Sequence, residues 1–155
     1  MKAFVAIGFV FLALHVQPAI GETTVGKFLV PPAGLAPEVY FVNLKDGDTF
    51  PPPFRILFGF TRIGIAPAEV ALPSTCHHHL LINTALPPDL NKPIAFSDKY
   101  RHYGAGQAEA IIELLPGIHT LQLVFADSQH RPFLKIKTGE SVVVSSRKIT
   151  IDVMK

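Results

Sequence analysis

The stretch LPGIHTLQLVFAD at residues 115–127 decides the fold of this chain. Its Pro116-Gly117 pair predicts a tight turn, and the Ile, Leu, Val and Phe residues after it predict a strand over 118–127. The preceding residues 104–115 (GAGQAEAIIELL) are rich in Ala, Glu and Leu, so a helix is the alternative there. A strand is favoured, because two glycines precede it and the turn leads directly into the next strand. The stretch therefore predicts two consecutive strands that run in opposite directions.

Four further segments have the composition of strands, with Val, Ile, Tyr and Phe between turn-forming residues. They are VYFVNL (39–44), FRILFGF (54–60), HHHLLIN (77–83) and RKITIDV (147–153). With 14 Pro and 11 Gly among 155 residues, long helices are not expected. Six short strands with turn signals about every ten residues predict an all-β fold, an immunoglobulin-like β-sandwich over residues 38–155.

The N-terminus has the pattern of a secretory signal peptide. Lys2 provides a positive charge, residues 3–14 (AFVAIGFVFLAL) form an apolar run, and a cleavage point follows Gly21. The run has 12 residues, fewer than the roughly 18 of a membrane-spanning helix, so an uncleaved anchor is the less favoured alternative. We predict a signal peptide at 1–21, an extended Pro-rich arm at 22–37, and a periplasmic or secreted protein without stable membrane insertion.

The charge and the cysteine count each narrow the class of protein. The formal net charge is +2 at pH 7 and no stretch is rich in Lys and Arg, so we expect no binding of nucleic acid. The single cysteine, Cys76, cannot form an internal disulfide. A hydrophobic core must therefore hold the exported domain together.

Six histidines follow the predicted signal peptide, and the predicted topology brings five of them to one end of the sandwich. The strand at 118–127 runs antiparallel to the strand at 77–83, so the end of one lies beside the start of the other. The five at this end are His77, His78, His79, His102 and His130. His119, which follows the Pro-Gly turn, lies at the opposite end.

Two of these histidines have the spacing of metal ligands on a strand. His77 and His79 point to one face, because side chains alternate along a strand, and the residue between them points to the other face. His102 or His130 would supply a third ligand, and Cys76 would add a soft one. The sequence thus predicts a His-rich transition-metal site at this end of the sandwich.

The ligand types also indicate which metals suit the site. Neutral imidazole suits copper and zinc, and a thiolate from Cys76 would favour copper(I) or zinc. One nitrogen of each imidazole would bind the ion, while backbone carbonyls or Asp127 orient the other nitrogen. Protonation of the imidazoles is expected to weaken binding below about pH 6.

The main alternative is that the histidines are purely structural. They would then hydrogen-bond the loops at this end of the sandwich, with Tyr and Asp side chains as partners. The protein would be a structural or partner-binding module of the envelope, which contacts a protein or a glycan. The contact surface would be the loops that carry Tyr100 and Tyr103, or the arm at 22–37.

An enzymatic function is the third possibility, and we do not favour it. Asp127, Ser128 and His130 include the residue types of a hydrolase triad, but they lie on one loop and no nucleophile elbow is present. A reactive thiolate at Cys76 would need His77 beside it, whereas adjacent side chains of a strand point to opposite faces. We therefore predict a protein without catalytic residues.

Four motifs resemble a family of exported bacterial proteins that is known only as a domain of unknown function. They are VYFVNLKDGD (39–48), HHHLLI (77–82), DKYRHYGAGQAE (98–109) and LPGIHTLQLVFAD (115–127). The resemblance implies a small periplasmic β-sandwich and adds no activity. This sequence departs from the family at two positions, with Cys76 where Gly is frequent and Asn83 where Asp is frequent.

Overall fold

The computed structural model describes residues 36–137 and 140–155. The predicted signal peptide at 1–21, and all but the last two residues of the predicted arm at 22–37, lie outside this part. The strands are β1 (Glu38–Phe41), β2 (Thr49–Phe50), β3 (Phe54–Thr61), β4 (Gly64–Ile65), β5 (Thr75–Ile82), β6 (Tyr100–Tyr103), β7 (Glu109–Ile112), β8 (Gly117–Ala126), β9 (Leu134–Lys137), β10 (Glu140–Val143) and β11 (Ile149–Val153). The predicted all-β class is confirmed, and the described residues include no helix long and apolar enough to cross a membrane.

The strands form two main sheets that pack against each other. The first sheet is antiparallel and has the order β1-β3-β7. The second has the order β2-β11-β8-β5, and β4 and β6 pair with the remaining edge of β5. Strands β1, β3 and β7 take the places of strands A, B and E of an immunoglobulin-like sandwich, and β5, β8 and β11 those of C, F and G. The predicted β-sandwich is therefore present.

The core between the sheets follows from the alternation of side chains along the strands. Ile56 and Phe58 of β3, Leu123 and Phe125 of β8, and Ile151 of β11 are at most 4% exposed and belong to one apolar cluster. Burial of a side chain of this size contributes roughly 1.5–3 kcal/mol. A core of this kind stabilises the domain without a disulfide.

The structure corrects the prediction for the segment between β5 and β8. A strand, β6, forms in a segment where no strand was predicted, and it places His102 opposite His79. All four residues of β6 are half-buried, so no alternation of apolar and polar residues indicates this edge strand. The strand predicted within 104–115 is present but shortens to the four residues of β7, because a turn occupies Gly104 and Ala105.

Hydrogen bonds around His119 hold the turn between β7 and β8. Nε2 of His119 donates to the carbonyl oxygen of Leu115 at 2.7 Å, so Nδ1 accepts from the amide nitrogen of Asn83 at 2.9 Å. The side-chain oxygen of Asn83 accepts the backbone N–H of Thr120 at 2.8 Å. Gly117 adopts a φ of 129°, which favours glycine. His119 therefore has a structural role at the end of the sandwich opposite His77.

We expect His119→Ala to lower the free energy of unfolding by about 1 kcal/mol, because the Asn83 amide and the Leu115 carbonyl lose their partner at a partly exposed site. Urea denaturation of the two proteins measures this difference. An unchanged midpoint would show that water replaces the imidazole at no cost.

Candidate metal centre

Two paired strands carry three of the four histidines of the candidate centre. His77 and His79 lie in β5, and His102 in β6 is the register partner of His79. On the other side of β5, the register partners of His77 and His79 are Ala126 and Val124 of β8, which are small enough to leave room for imidazole rings. Because register partners share a face of the sheet, the three imidazoles project to the same side, away from the main core.

A tight loop after β8 supplies the fourth histidine. His130 has a φ of 63° and donates its backbone N–H to the carbonyl oxygen of Asp127 at 2.9 Å. The Asp127 carboxylate accepts the backbone N–H groups of Gln129 at 2.8 Å and Arg131 at 3.0 Å. The backbone N–H of Ile94 donates to the carbonyl oxygen of His130 at 2.8 Å. These bonds fix the loop and hold His130 over the sheet.

Asp127 organises this loop and does not orient an imidazole, which corrects the prediction made for it. Arg131 forms an ion pair with its carboxylate, with the closest nitrogen and oxygen 2.7 Å apart. Burial alone would raise the pKa of Asp127, but the hydrogen bonds from Arg131 and Gln129 outweigh burial and keep that pKa below its usual value. The carboxylate thus stays ionised and bound to its own loop.

The ligand nitrogens of the four histidines converge on one point. Those of His77, His79, His102 and His130 all lie within 4.8 Å of one another. Nε2 of His77 is 3.1 Å from Nε2 of His79 and 3.3 Å from Nδ1 of His130. A tetrahedral ion with bonds of about 2.0–2.1 Å separates its ligand atoms by about 3.3 Å. The donor type and the spacing both fit a transition metal ion.

Hydrogen bonds within the cluster do not satisfy all of its nitrogens. In a neutral imidazole one nitrogen donates and the other accepts. Nε2 of His77 therefore cannot form a good hydrogen bond with both of its close neighbours. Nδ1 of His79 and Nε2 of His102 are buried without a hydrogen-bond partner. Because Nε2 of His77 cannot serve both of its neighbours, the cluster is better suited to a cation than to mutual hydrogen bonding.

Burial favours the neutral, metal-binding form of three of the clustered imidazoles. Burial, with added repulsion from His102 and His130, lowers the pKa of His77 to about 4. Burial and the proximity of His77 lower the pKa of His79 to about 3. Burial also lowers the pKa of His102. Protons therefore compete weakly with a metal ion at neutral pH, and for His77 and His79 the expected competition moves from below about pH 6 to below about pH 4.

Two residues that the sequence analysis did not single out shape the centre. The Phe96 ring stacks on the His102 ring, with centroids 4.5 Å apart and planes at 12°, and it meets the His130 ring edge-on at 5.1 Å. A Cβ atom at Gly104 would overlap Cε1 and Nε2 of His102. The spacing of His102 and Gly104 could have suggested this contact, whereas nothing in the sequence marks the exposed Phe96.

Cys76 and His78 lie on the opposite face of β5, in the main core. Cys76 is 3% exposed, and its Sγ is 3.8 Å from the carbonyl oxygen of Gly64. His78 packs against Phe58 and Phe125, with ring centroids 4.9 and 5.0 Å away, and neither of its nitrogens has a partner. Cys76 therefore does not join the four histidines, which corrects the prediction that it adds a soft ligand.

A comparison with known protein families identifies the family to which the chain belongs. The profile of the domain of unknown function DUF4399 matches residues 56–154. The chain belongs to the DUF4399 family. The matched part of this DUF4399 protein contains β4 to β11 and all four clustered histidines. The predicted resemblance to a family of unknown function is thus confirmed, although the match begins after β1. No curated protein and no solved structure matches the chain.

The buried histidines predict a stability that depends on pH. Burial lowers the pKa of His78 from 6.5 to about 4. Below about pH 6.5 this histidine therefore binds a proton in the unfolded chain but not in the folded domain. The free energy of unfolding declines from that pH down to about pH 4, by roughly 3 kcal/mol for this group. We expect the free energy of unfolding of the metal-free protein to be level above this window and to decline within it.

The variant His78→Leu isolates this contribution. As the pH is lowered, the free energy of unfolding of the variant should decline less steeply than that of the parent. The two slopes should differ by up to about 1.4 kcal/mol per pH unit. At pH 7 the variant should be at least as stable as the parent, because Leu leaves no unpaired nitrogen among the phenylalanines. Urea denaturation between pH 4 and pH 8 measures both effects, and an unaltered slope would contradict the assignment.

Proposed function

We propose that this DUF4399 protein is an exported, non-enzymatic protein that binds a transition metal ion, copper or zinc, through His77, His79, His102 and His130. The observation that carries the proposal is the convergence of four imidazole nitrogens within 4.8 Å. Two of these histidines are almost fully buried, at 1% and 0% exposure, on a strand that is paired on both edges. Rigid strands hold such ligands in place without the entropy cost of ordering them on binding.

The arrangement favours metal binding over purely structural histidines. In the structural alternative, Tyr and Asp side chains would hydrogen-bond the imidazoles. The Tyr100 hydroxyl instead donates to the carbonyl oxygen of Ala85 at 2.8 Å, and the Asp127 carboxylate is bound by Arg131. Nε2 of His77 cannot form good hydrogen bonds with both of its close neighbours, whereas a bound ion would accept a lone pair from each of these nitrogens.

The proposal of a non-enzymatic role has two supports. Nδ1 of His130 faces His77 and the Asp127 carboxylate is bound within its loop, so the two residues are not arranged as the base and the orienting acid of a triad. Burial raises the pKa of the Cys76 thiol to about 12, which keeps it protonated and unreactive.

Isothermal titration with copper and with zinc tests the proposal. We expect one ion to bind per chain. At a free metal concentration of 100 times the Kd, the free energy of unfolding should rise by about 2.7 kcal/mol. The double variant His77→Ala/His79→Ala should lose binding, whereas His119→Ala, which alters a histidine outside the cluster, should retain it. Circular dichroism confirms that both variants fold. Equal binding by the parent and the folded double variant, or none by the parent, would refute the site.

Gly104 offers a test that changes none of the four histidines. We expect Gly104→Ala to raise the metal Kd by about 10-fold. The new methyl group would displace the imidazole of His102 and with it one of the four ligand nitrogens. No positive φ applies at this residue, so the effect arises from the contact and not from backbone strain. Ala105→Gly, in the same turn, is the control and should bind as the parent does.

A further inference from the structure

The metal centre has an unusual balance of charge. Within the described residues its ligand group consists of four imidazoles and contains neither a carboxylate nor a thiolate. The Asp127 carboxylate acts on His77 through its charge, but it is paired with Arg131 and is not one of the ligands. A bound ion therefore brings its full charge into the site. Because the cost of burying a charge rises with its square, a divalent ion costs about four times as much to desolvate as a monovalent one.

The geometry of the cluster also discriminates between ions. Copper(II) prefers a tetragonal arrangement, in which neighbouring ligand atoms are about 2.8 Å apart and opposite ones about 4 Å apart. Nε2 of His77 is 3.1 Å from Nε2 of His79 and 3.3 Å from Nδ1 of His130, and the four ligand nitrogens all lie within 4.8 Å of one another. Both distances from Nε2 of His77 exceed the roughly 2.8 Å of neighbouring ligands in a tetragonal site and lie nearer the roughly 3.3 Å of a tetrahedral ion, an arrangement that zinc adopts as well. The pairing of β5 with β6 and β8 resists flattening of the site.

Phe96 covers the solvent side of the cluster with an apolar ring. The ring is 60% exposed, yet it is stacked on His102. The residues that precede and follow it in the sequence are fixed by hydrogen bonds. On one side Ile94 is buried and bonded to the His130 carbonyl, and on the other Ser97 pairs with Tyr100. The ring supplies neither charge nor a ligand atom. It therefore disfavours ions that retain bound water or hydroxide, as zinc does in open sites.

We propose that the preferred occupant of this centre is monovalent copper, held by neutral imidazoles beneath Phe96. The inference rests on the proposed function and narrows it to one ion and one oxidation state. Neutral donors and an apolar cover reduce the affinity for a divalent ion more than that for copper(I), and the spacing of the nitrogens disfavours tetragonal copper(II) in addition. Copper(I) needs neither a compensating anion nor a water ligand at this site.

Competition titrations test the assignment on the full protein. Copper(I) is titrated without oxygen against a copper(I)-specific chelator, and zinc is titrated against a zinc chelator. We expect the copper(I) Kd to be at least about 100-fold lower than the zinc Kd. An equal or lower zinc Kd overturns the copper(I) assignment and leaves the metal site standing. If neither copper(I) nor zinc binds to the protein, the proposed function is overturned as well.

The cover provides a second, independent readout. Phe96→Ala opens the solvent side of the centre, so we expect it to lower the reduction potential of the bound copper by admitting water that stabilises copper(II). Phe96→Leu keeps an apolar cover and His119→Ala leaves the centre untouched, and both should retain the potential of the parent. Because Phe96 is largely exposed, these variants should fold. The same potential in the parent and in Phe96→Ala would overturn the role of the cover.

Discussion

The pairing of β5 with β8 on one edge and β6 on the other is the interaction on which both the core and the metal centre depend. Every residue of β5 after Thr75 is buried, so both of its faces are occupied. One face carries Cys76, His78 and Leu80 into the main core, and the other carries His77 and His79 into the cluster. A shift of register by one residue would exchange the two faces and destroy both.

The centre is built at a cost in stability. Several imidazoles are kept neutral by burial, and both nitrogens of His78 and Nδ1 of His79 lack partners. Unpaired buried polar atoms each cost about 1–3 kcal/mol. For the clustered histidines, a bound ion would replace the close contacts between their ligand nitrogens by coordination bonds. His78 has no such compensation, and the structure offers no functional partner for it among the described residues.

Much of the site follows from two rules that act on the sequence alone. Alternation along a strand placed His77 and His79 together and their neighbour His78 apart. Antiparallel topology placed His130, at the end of β8, beside the start of β5. The same alternation, applied one residue earlier, separates Cys76 from His77 and His79, so the expectation that it joins them conflicted with the rule that selected the pair.

Other parts of the site could not be derived in this way. β6 has no apolar run, because an edge strand with four half-buried residues needs none, and the pairing of His102 with His79 is visible only in the sheet. Phe96 reaches His102 through a loop whose course depends on the burial of Ile94 and its bond to His130. Contacts across such loops depend on tertiary packing and have no periodic signal.

The sequence by itself determined the all-β class, the principal strands and the separation of His119 from the other histidines, because these follow from local turn chemistry and from the period of two. Only the tertiary structure decided that four imidazole nitrogens meet within 4.8 Å, that Asp127 serves its own loop, and that Cys76 belongs to the core. These outcomes depend on strand register and on loop closure, which bring together residues more than 50 positions apart, such as His77 and His130.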